Sequence, residues 1–302
     1  MRTYYHTILD RLQFSPEADA FLRSAGKRVF DHSPTLMPQA VASYYNGNFD
    51  HEPVLAQLEA EQQSLDVPID TLRFILIACA TERMHEAYNK RGYTEEMFVD
   101  FLKDLRCKVC THHTLSKVYG LPVSSVSYWY PLFLGLKLFA LGRLQYEIYQ
   151  RPDITEPVVV GGHTVQPDDI VRFIHIPAIG PLTREARMAS YRKAYEFFKN
   201  DLGDKPFVLY CTSWLLYERN REFMSPTSNI VDFMNDFKIV KSFPVPSINY
   251  ACIFDMPYKS GDPAVPKDNA LRRSLAAWLD AGGVPGGGDG YFLFDGETII
   301  ND

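Results

Sequence analysis

The stretch from Ile170 to Phe198 predicts a β-strand, a short loop that contains glycine and proline, and a helix. Because side chains alternate along a strand, Val171, Phe173 and His175 lie on the same face. Thr183 is a good N-cap for the helix that follows. A loop that leads into a helix N-terminus presents unpaired backbone N–H groups and a partial positive charge, which suit a phosphate or an oxyanion. The stretch therefore predicts an anion-binding site beside a strand that carries a histidine.

Two side chains in and near this strand could move a proton. Glu147 lies on the polar face of an alternating segment, Leu141–Tyr149, and could accept a proton from an amine directly or through water. The alternative is a solvated sheet face or a cross-strand ion pair. His175 is a second candidate base or a substrate contact, and its alternative is a hydrogen-bonded core histidine. We therefore treat Glu147 and His175 as candidate bases.

A candidate nucleophile lies on the next predicted strand, which begins at Phe207. Cys211 and Ser213 share one face of that strand with Leu209. A thiol there can act as a nucleophile if its surroundings depress its pKa. The alternative, and the commoner role of a strand cysteine, is an inert core residue. A Cys-dependent hydrolase or transferase that uses Cys211 with His175 is therefore one hypothesis.

Cys107, Cys110, His112 and His113 form the one cluster that resembles a metal-binding motif. Cys-x-x-Cys followed by two histidines supplies ligands that suit zinc. All four residues fall within one helical pattern, whereas a zinc site usually takes its second pair of ligands from a distant segment. We therefore predict no metal site.

The glycine-rich run Gly286–Gly290 is a second motif that invites a ligand-binding interpretation. It is not a P-loop, because it lacks the Lys-Ser/Thr pair and leads into a strand rather than a helix. We expect a flexible turn that leads into a last strand, Tyr291–Phe294.

The composition limits the class of protein. The 302 residues carry a formal net charge of -6, which argues against a general nucleic-acid-binding protein. The N-terminal residues lack the apolar core of a secretion signal. The richest apolar window, 132–144, contains Lys137 and Arg143 and is too short to cross a bilayer. We therefore expect a cytoplasmic protein with no membrane partner, whose five cysteines are reduced.

The pattern of elements changes along the chain. Up to about residue 120 it is helical, and no strand-like alternation interrupts it. Strands are then predicted at 141–149, 158–165, 170–176, 207–213, 239–243, 248–256 and 291–294, with further helices at 229–237 and 269–279. We place the boundary between two domains so that they span residues 1–125 and 126–302.

The order of elements after residue 130, and several short phrases, carry a resemblance to a known family. The phrases are LFALGRLQYE, IHIPAIGPLT, CTSWLL and SNIVDF. The chain resembles a bacterial two-domain family of acyltransferases that joins a helical domain to a domain of the GNAT superfamily of acyl-CoA N-acyltransferases. The resemblance implies an α+β protein, with a helical N-terminal domain and a GNAT-like mixed β-sheet domain flanked by helices.

The resemblance also implies where an acyl-CoA, either acetyl-CoA or one with another acyl chain, would bind. Ile170–Ile176 would be the fourth strand of the superfamily and Phe207–Cys211 the fifth, and the two would diverge to admit the pantetheine arm. The loop 178–184 would hold the pyrophosphate. The residues that the resemblance assigns to the cofactor are Ile176, Ala178, Gly180, Leu182, Thr183 and Arg184. Ser228-Asn229 is first of all a predicted N-cap for the next helix, and a cofactor or substrate contact of Asn229 is the alternative.

The loop departs from the superfamily pattern, which is Gln/Arg-x-x-Gly-x-Gly/Ala. This chain offers only Gly180, and Pro177 and Pro181 each remove a potential N–H donor. Arg184 and Arg187 could supply the missing charge, and Thr183 could donate a hydroxyl. Two hypotheses follow from this departure: a working acyltransferase, or a non-catalytic binding protein that keeps the fold with a degenerate CoA loop.

As an acyltransferase, the protein would move an acyl group from acyl-CoA to an amine of a small molecule or peptide within a ternary complex. Glu147 or His175 would accept the proton, and a backbone N–H of the fourth strand would stabilise the oxyanion. By analogy with the superfamily, Tyr217 or Tyr250 would protonate the leaving thiolate. The helical domain would shape the acceptor pocket at the domain junction.

Overall fold

The computed structural model describes residues 1–150, 156–248 and 250–302. It divides into two units, Met1–Phe139 and Ala140–Asp302. The N-terminal unit is helical and the C-terminal unit is built on a mixed sheet, which confirms the α+β class. The domain boundary that we place after residue 125 stays a prediction.

The N-terminal unit consists of packed helices. Their bounds are α1 Arg2–Leu12, α2 Pro16–His32, α3 Leu36–Asn46, α4 Glu52–Leu65, α5 Ile69–Arg91, α6 Glu95–Ser116 and α7 Tyr130–Leu134. Ser15 caps α2 by accepting a hydrogen bond from the backbone N–H of Ala18. The segment Phe74–Ala80 of α5 is fully buried. A helix that is apolar on all sides must be enclosed by others, and α5 packs against α1, α3, α4 and α7.

The described residues contain no helix with both the length and the apolar character needed to cross a membrane.

The C-terminal unit follows the predicted order of strands and helices in most places. Its elements are β1 Leu138–Leu141, β2 Leu144–Gln150, β3 Val158–Val160, β4 His163–Val165, β5 Ile170–His175, α8 Arg184–Leu202, β6 Val208–Ser213, α9 Asn229–Met234, β7 Lys238–Pro244, α10 Ala251–Phe254, α11 Ala270–Asp280, β8 Gly286–Phe294 and β9 Ile299–Ile300. The main sheet has the order β1-β2-β5-β6-β8-β7, with β9 on β8. β5 and β6 are parallel and are joined through α8, whereas β2–β5, β6–β8 and β7–β8 are antiparallel. The sheet is therefore mixed, with its parallel pair at the centre.

Three details differ from the sequence-based expectation. The segment Leu141–Tyr149 is not one strand, because Gly142 adopts a φ of +81° and separates β1 from β2. Ile248–Met256 is not a strand: it contains the short helix α10, and Tyr250 before it has a φ of +50°. Asn249, within that segment, lies outside the described residues.

The third difference concerns the glycine run, which is not a turn. Gly286–Gly290 forms the first half of β8, pairs with β6 and β7, and is fully enclosed. A Cβ on Gly288 would lie 2.3 Å from the backbone oxygen of Leu216, so the turn after β6 packs directly on the strand at that point. The glycines are there because the sheet is crowded, not because the chain must bend.

The two faces of the sheet are covered differently. We call one the helix face, where Phe292 packs its ring against Tyr191 of α8 and against Phe237. We call the other the hairpin face, where Tyr210 and Tyr291 join a hydrophobic cluster with Val160 and Val165 of the β3–β4 hairpin. Because side chains alternate along a strand, each candidate residue belongs to one of these faces.

We predict that Gly288→Ala lowers the free energy of unfolding by about 1–3 kcal/mol, because a methyl group there collides with backbone that has no rotamer to change. Gly287→Ala is the matched control, since its Cβ would meet the Phe243 ring at 3.4 Å, an ordinary contact. Urea denaturation of both variants measures the difference. Equal stability of the two would contradict the packing described for β8.

Candidate active site

Glu147 and His175, which the sequence offers as alternative bases, form one pair. β2 and β5 run antiparallel with Gln145 opposite His175 and Glu147 opposite Phe173, so the two candidates are diagonal neighbours on the hairpin face. The Nε2 atom of His175 lies 2.8 Å from Oε2 of Glu147. The ring of His175 also packs against Phe173, with centroids 4.3 Å apart. The pair is therefore held by the sheet register and by an aromatic contact.

The pair is shielded from solvent. The side chains of His175 and Glu147 are 14% and 9% exposed. A carboxylate that accepts a hydrogen bond from one imidazole nitrogen fixes the tautomer and orientation of the ring, and stabilises the imidazolium that forms when the ring takes a proton. The arrangement can therefore act as a single proton acceptor, in which histidine takes the proton and glutamate supports it.

Further polar groups on the hairpin face were not selected from the sequence. Gln145 is 1% exposed, and neither atom of its carboxamide has a hydrogen-bond partner in the described part of the chain. Tyr210 donates its hydroxyl to Oδ1 of Asp289 at 3.3 Å, and its ring lies 5.1 Å from that of Phe173. Alternation in the sequence predicts that Gln145 shares a face with Glu147, and β2 confirms it, but alternation alone gives Gln145 no role. Asp289 lies in the glycine run for which the sequence predicts a turn.

The pairing of β5 with β6 is short. The register joins Arg172 to Leu209 and Phe173 to Tyr210. Beyond this point, Ile174 and His175 pair with β2, while residues 211–213 pair with β8. Within the described residues, no ladder joins the last two residues of β5 to the last three of β6. The two central strands thus stop pairing next to the Glu147–His175 pair.

The loop between β5 and α8 is held by a side chain from the β1–β2 turn. The guanidinium of Arg143 donates to the backbone oxygens of Pro177, Gly180 and Pro181, at 2.8, 3.1 and 3.0 Å. A planar guanidinium can satisfy several acceptors at fixed angles at once. Three carbonyls of the loop therefore point toward one positive charge, and Gly180 adopts a φ of +83° within this arrangement.

The other residues assigned to the cofactor lie in or near this loop, with one exception. Ile176 is half-buried, Leu182 is buried, and Ala178 and Gly180 are exposed. Thr183 caps α8, as predicted, by accepting a hydrogen bond from the backbone N–H of Ala186 at 3.3 Å. The exception is Asn229, which is exposed at the start of α9, behind the N-cap Ser228.

The two arginines that were expected to supply charge to the loop differ in accessibility. Arg187 is fully buried, and its guanidinium donates to Asp236, Asp232 and the backbone oxygen of Leu182. Arg184 is 57% exposed and lies 3.5 Å from Oδ1 of Asp236. The expectation that Arg187 faces a bound anion is wrong, because its donors are already used inside the unit. Arg184 remains accessible.

Asp236 is the centre of this ion-pair network. Burial raises the pKa of its carboxyl, and the Arg187 guanidinium and the Tyr191 hydroxyl oppose that rise by hydrogen bonding to the carboxylate. A buried ion pair of this kind joins α8 to the end of α9. It fixes the first turn of α8, on which the loop depends.

Cys211 and Ser213 lie on the helix face, because Leu209 of the same strand is the partner of Arg172 rather than of Phe173. His175 lies on the hairpin face, so the sheet separates Cys211 from it. Cys211 is also fully buried, and this burial raises the pKa of its thiol well above its usual range. The Ser213 hydroxyl accepts from the backbone N–H of Leu215. This geometry does not favour a Cys211–His175 nucleophile.

Tyr250 is buried and packs its ring edge-on against Trp214, near the end of β6. Burial raises the pKa of its hydroxyl to about 12, with a smaller contribution from Tyr217. With this pKa the Tyr250 hydroxyl is protonated at neutral pH, and it is a weaker acid than an exposed tyrosine.

The cysteine and histidine cluster of α6 is not arranged as a metal site. Nε2 of His112 lies 2.8 Å from Oδ2 of Asp70, in hydrogen-bond contact. The ring of His113 stacks on that of Tyr119, with the ring centroids 3.7 Å apart. Among the described residues, no group of three or more His, Cys, Asp or Glu side chains is placed to hold a metal ion.

We predict that Arg187→Met lowers the free energy of unfolding by about 3–5 kcal/mol, because it removes the buried cation of Asp236 and leaves only the exposed Arg184 near that carboxylate. Arg184→Met, on the same helix and exposed, serves as the control and should change stability by less than about 1 kcal/mol. Chemical denaturation checks both. The double variant Arg187→Met/Asp236→Leu should recover part of the loss; no recovery would mean that the charge of Asp236 is not the cause.

Comparison with known structures finds similar folds among acyltransferases. An acyltransferase in complex with decanoyl-CoA and teicoplanin aligns over 95% of this chain and 86% of its own, at 19% identity and a TM-score of 0.69. An acyltransferase mutant in complex with octanoyl-CoA aligns over 94% and 86%, at 19% identity and a TM-score of 0.70. A third, in complex with CoA and 10C-teicoplanin, has a TM-score of 0.67 at 19% identity, over 94% and 86% of the two chains. The TM-scores establish that the fold is shared, and at identities this low the likeness is one of fold alone.

Comparison with curated protein sequences gives no match. A sequence profile described as the GNAT-like C-terminal domain matches residues 138–292. The match spans β1 to β8, including the Glu147–His175 pair and the loop before α8. With more than half of its 302 residues matched, the chain belongs to the family of proteins that carry a GNAT-like C-terminal domain.

Proposed function

We propose that this protein transfers an acyl group from an acyl-CoA to an amine of a small molecule or peptide, by direct attack within a ternary complex. The observation that carries the proposal is the Glu147–His175 pair beside the point where β5 and β6 stop pairing. The solved structures of similar fold contain decanoyl-CoA, octanoyl-CoA or CoA, and two of them also contain teicoplanin or 10C-teicoplanin. A cytoplasmic location agrees with this proposal and stays a prediction.

The loop 177–183 and the start of α8 fit the pyrophosphate of CoA. α8 begins directly after the loop, so its positive dipole end and first backbone N–H groups face the loop region. Arg143 engages three loop carbonyls, which leaves the opposite side of the loop for N–H groups. Arg184 supplies an accessible charge near the same helix end. Arg143 thus takes over the shaping role that the missing glycines would have had.

The ends of β5 and β6 beyond their shared ladder fit the thioester end of the same molecule. Residues 174–175 of β5 pair with β2 and residues 211–213 of β6 pair with β8, and no described ladder joins these two segments to each other. A backbone N–H at this place can donate to the thioester carbonyl, and more strongly to the oxyanion that develops from it. Acyl-CoA would supply an acyl group already activated as a thioester.

The proton of the attacking amine passes to His175, and Glu147 stabilises the resulting imidazolium. As the C–N bond forms and the C–S bond breaks, the electron pair of the C–S bond stays on sulfur. Tyr250, which is protonated at neutral pH, is our candidate donor of the proton that the thiolate takes up. No covalent enzyme intermediate is needed, in keeping with the position of Cys211 on the other face of the sheet.

The competing hypothesis is a non-catalytic protein that keeps the fold. It is favoured by one observation: Arg187, expected to help hold the anion, is buried and neutralised by Asp232 and Asp236. Such a protein would bind a ligand at the sheet without consuming it. The two hypotheses differ in whether acyl-CoA loses its acyl group.

The deciding experiment incubates the protein with octanoyl-CoA and each of two amines, 2-aminoethanol and glucosamine. Release of free CoA thiol is followed with a thiol reagent, and CoA binding by the rise in melting temperature. The proposal predicts amine-dependent thiol release and stabilisation by CoA. Stabilisation without thiol release would favour the binding protein, and neither effect would refute both.

We predict that Glu147→Gln and His175→Asn each lower kcat by about 10²–10⁴-fold, because each removes part of one proton acceptor. Since the two residues act as a unit, the double variant should lose little more than the worse single variant. Cys211→Ala should keep kcat within about twofold. Loss of activity in Cys211→Ala with full activity in His175→Asn would replace this mechanism by a covalent one.

We predict that Arg143→Lys raises the KM for octanoyl-CoA by about tenfold and leaves kcat within about twofold, since one ammonium group cannot hold three carbonyls in a fixed geometry. Arg192→Lys is the matched control, because Arg192 is exposed on α8 and pairs with Glu297 at 3.6 Å. Steady-state kinetics at saturating amine measures both constants. An unchanged KM in Arg143→Lys would mean that the hydrogen bonds from Arg143 to the loop carbonyls do not contribute to acyl-CoA binding.

A further inference from the structure

Gln145 is the polar side chain of the hairpin face that the proposed mechanism leaves unexplained. Gln145 is only 1% exposed, yet neither Nε2 nor Oε1 of its carboxamide has a hydrogen-bond partner among the described residues. The other buried polar groups of this face are satisfied: Glu147 by His175, and Tyr210 by Asp289. A buried carboxamide without hydrogen bonds lowers stability, so its presence calls for an explanation.

The position of Gln145 connects it to the proton acceptor. It is the direct cross-strand partner of His175 and lies two residues before Glu147 on the same strand. Directly opposed side chains of an antiparallel pair have Cβ atoms about 4.5–5.5 Å apart. A small group that gives its proton to His175 therefore lies within reach of the Gln145 carboxamide as well.

The chemistry of a carboxamide limits what it can bind. It offers an acceptor, Oε1, and a donor, Nε2–H, side by side. An ammonium would satisfy only the acceptor, and so would a simple alkylamine whose lone pair is directed at the thioester. A molecule with an N–H and an oxygen on neighbouring carbons satisfies both atoms at once.

We infer that Gln145 binds the acceptor substrate, and that this acceptor is an amine with an adjacent hydroxyl or carbonyl oxygen, such as an amino alcohol, an amino sugar or an amino acid amide. Oε1 accepts an N–H of the amine and so orients its lone pair, while Nε2 donates to the neighbouring oxygen. This inference rests on the proposed function, which it narrows to a substrate class.

The test compares two amines of nearly equal size, 2-aminoethanol and propylamine, which differ by a hydroxyl in place of a methyl group. With octanoyl-CoA as donor, kcat/KM for 2-aminoethanol is divided by kcat/KM for propylamine, and this ratio is measured for the wild type and for Gln145→Met. The variant keeps the length of the side chain and removes its hydrogen bonding. We expect the ratio to fall at least tenfold, because a site built to bind a hydroxyl rejects its methyl analogue. Comparing ratios cancels the different basicity of the two amines.

A second readout separates a binding role from a structural one. Because Gln145→Met removes an unsatisfied buried group, we expect its melting temperature to rise by about 2–4 °C. The control is Gln166→Met, an exposed glutamine of the same unit, which should change neither the ratio nor the melting temperature. Gln145→Asn, which withdraws the carboxamide by one carbon, should give an intermediate ratio and covers the case in which the methionine variant folds poorly.

Suppose that the wild type releases thiol with these amines, and that both Gln145 variants keep the wild-type ratio of kcat/KM values. That result overturns this inference and leaves the proposed function standing. A lower melting temperature of Gln145→Met with an unchanged ratio assigns Gln145 a structural role. No thiol release by the wild type with either amine contradicts the proposed function, and this inference with it.

Discussion

The short parallel ladder between β5 and β6 is the constraint on which the candidate site depends. The two strands pair at Arg172–Leu209 and Phe173–Tyr210, and then each continues with its other neighbour. A parallel pair at the centre of a sheet normally continues its hydrogen bonds, since buried backbone groups without partners are unfavourable. The proposed acyl-CoA site uses this point, because a ligand there can take up backbone hydrogen bonds that a longer ladder would have used. The Glu147–His175 pair lies at this point because antiparallel pairing with β2 carries β5 past the end of the ladder.

Two arginines position the loop before α8, whereas in a glycine-rich loop the glycines themselves allow the backbone conformation. Arg143 sits outside α8 and holds loop carbonyls, so it sets the direction of the backbone. Arg187 sits inside, neutralised by Asp232 and Asp236, and holds α8 against α9. Both arginines donate to groups of the protein itself rather than presenting their guanidinium groups to a ligand. Their positive charges instead determine where the backbone N–H groups lie.

Much of this could be predicted from the sequence where the signal is local. Alternation placed β5 and β6 within a residue, and Thr183 marked the start of α8. The relation between strands could not be predicted this way: whether Cys211 shares a face with His175 depends on the register of a parallel pair, which α8 and its connections set through tertiary packing. The contact of Arg143 with a loop more than 30 residues away likewise has no signal in the sequence, because alternation predicts one strand through the turn at Gly142. Asp289 was overlooked because its glycine neighbours suggested a turn, whereas they serve close packing.

The most direct measurement is a crystal structure of the protein with bound CoA. We predict that the pantetheine arm lies between residues 174–175 of β5 and 211–213 of β6, with the pyrophosphate at the start of α8 and the sulfur near His175. A structure in which those strand ends bond to each other, and CoA binds elsewhere or not at all, would contradict the proposed acyl-CoA site.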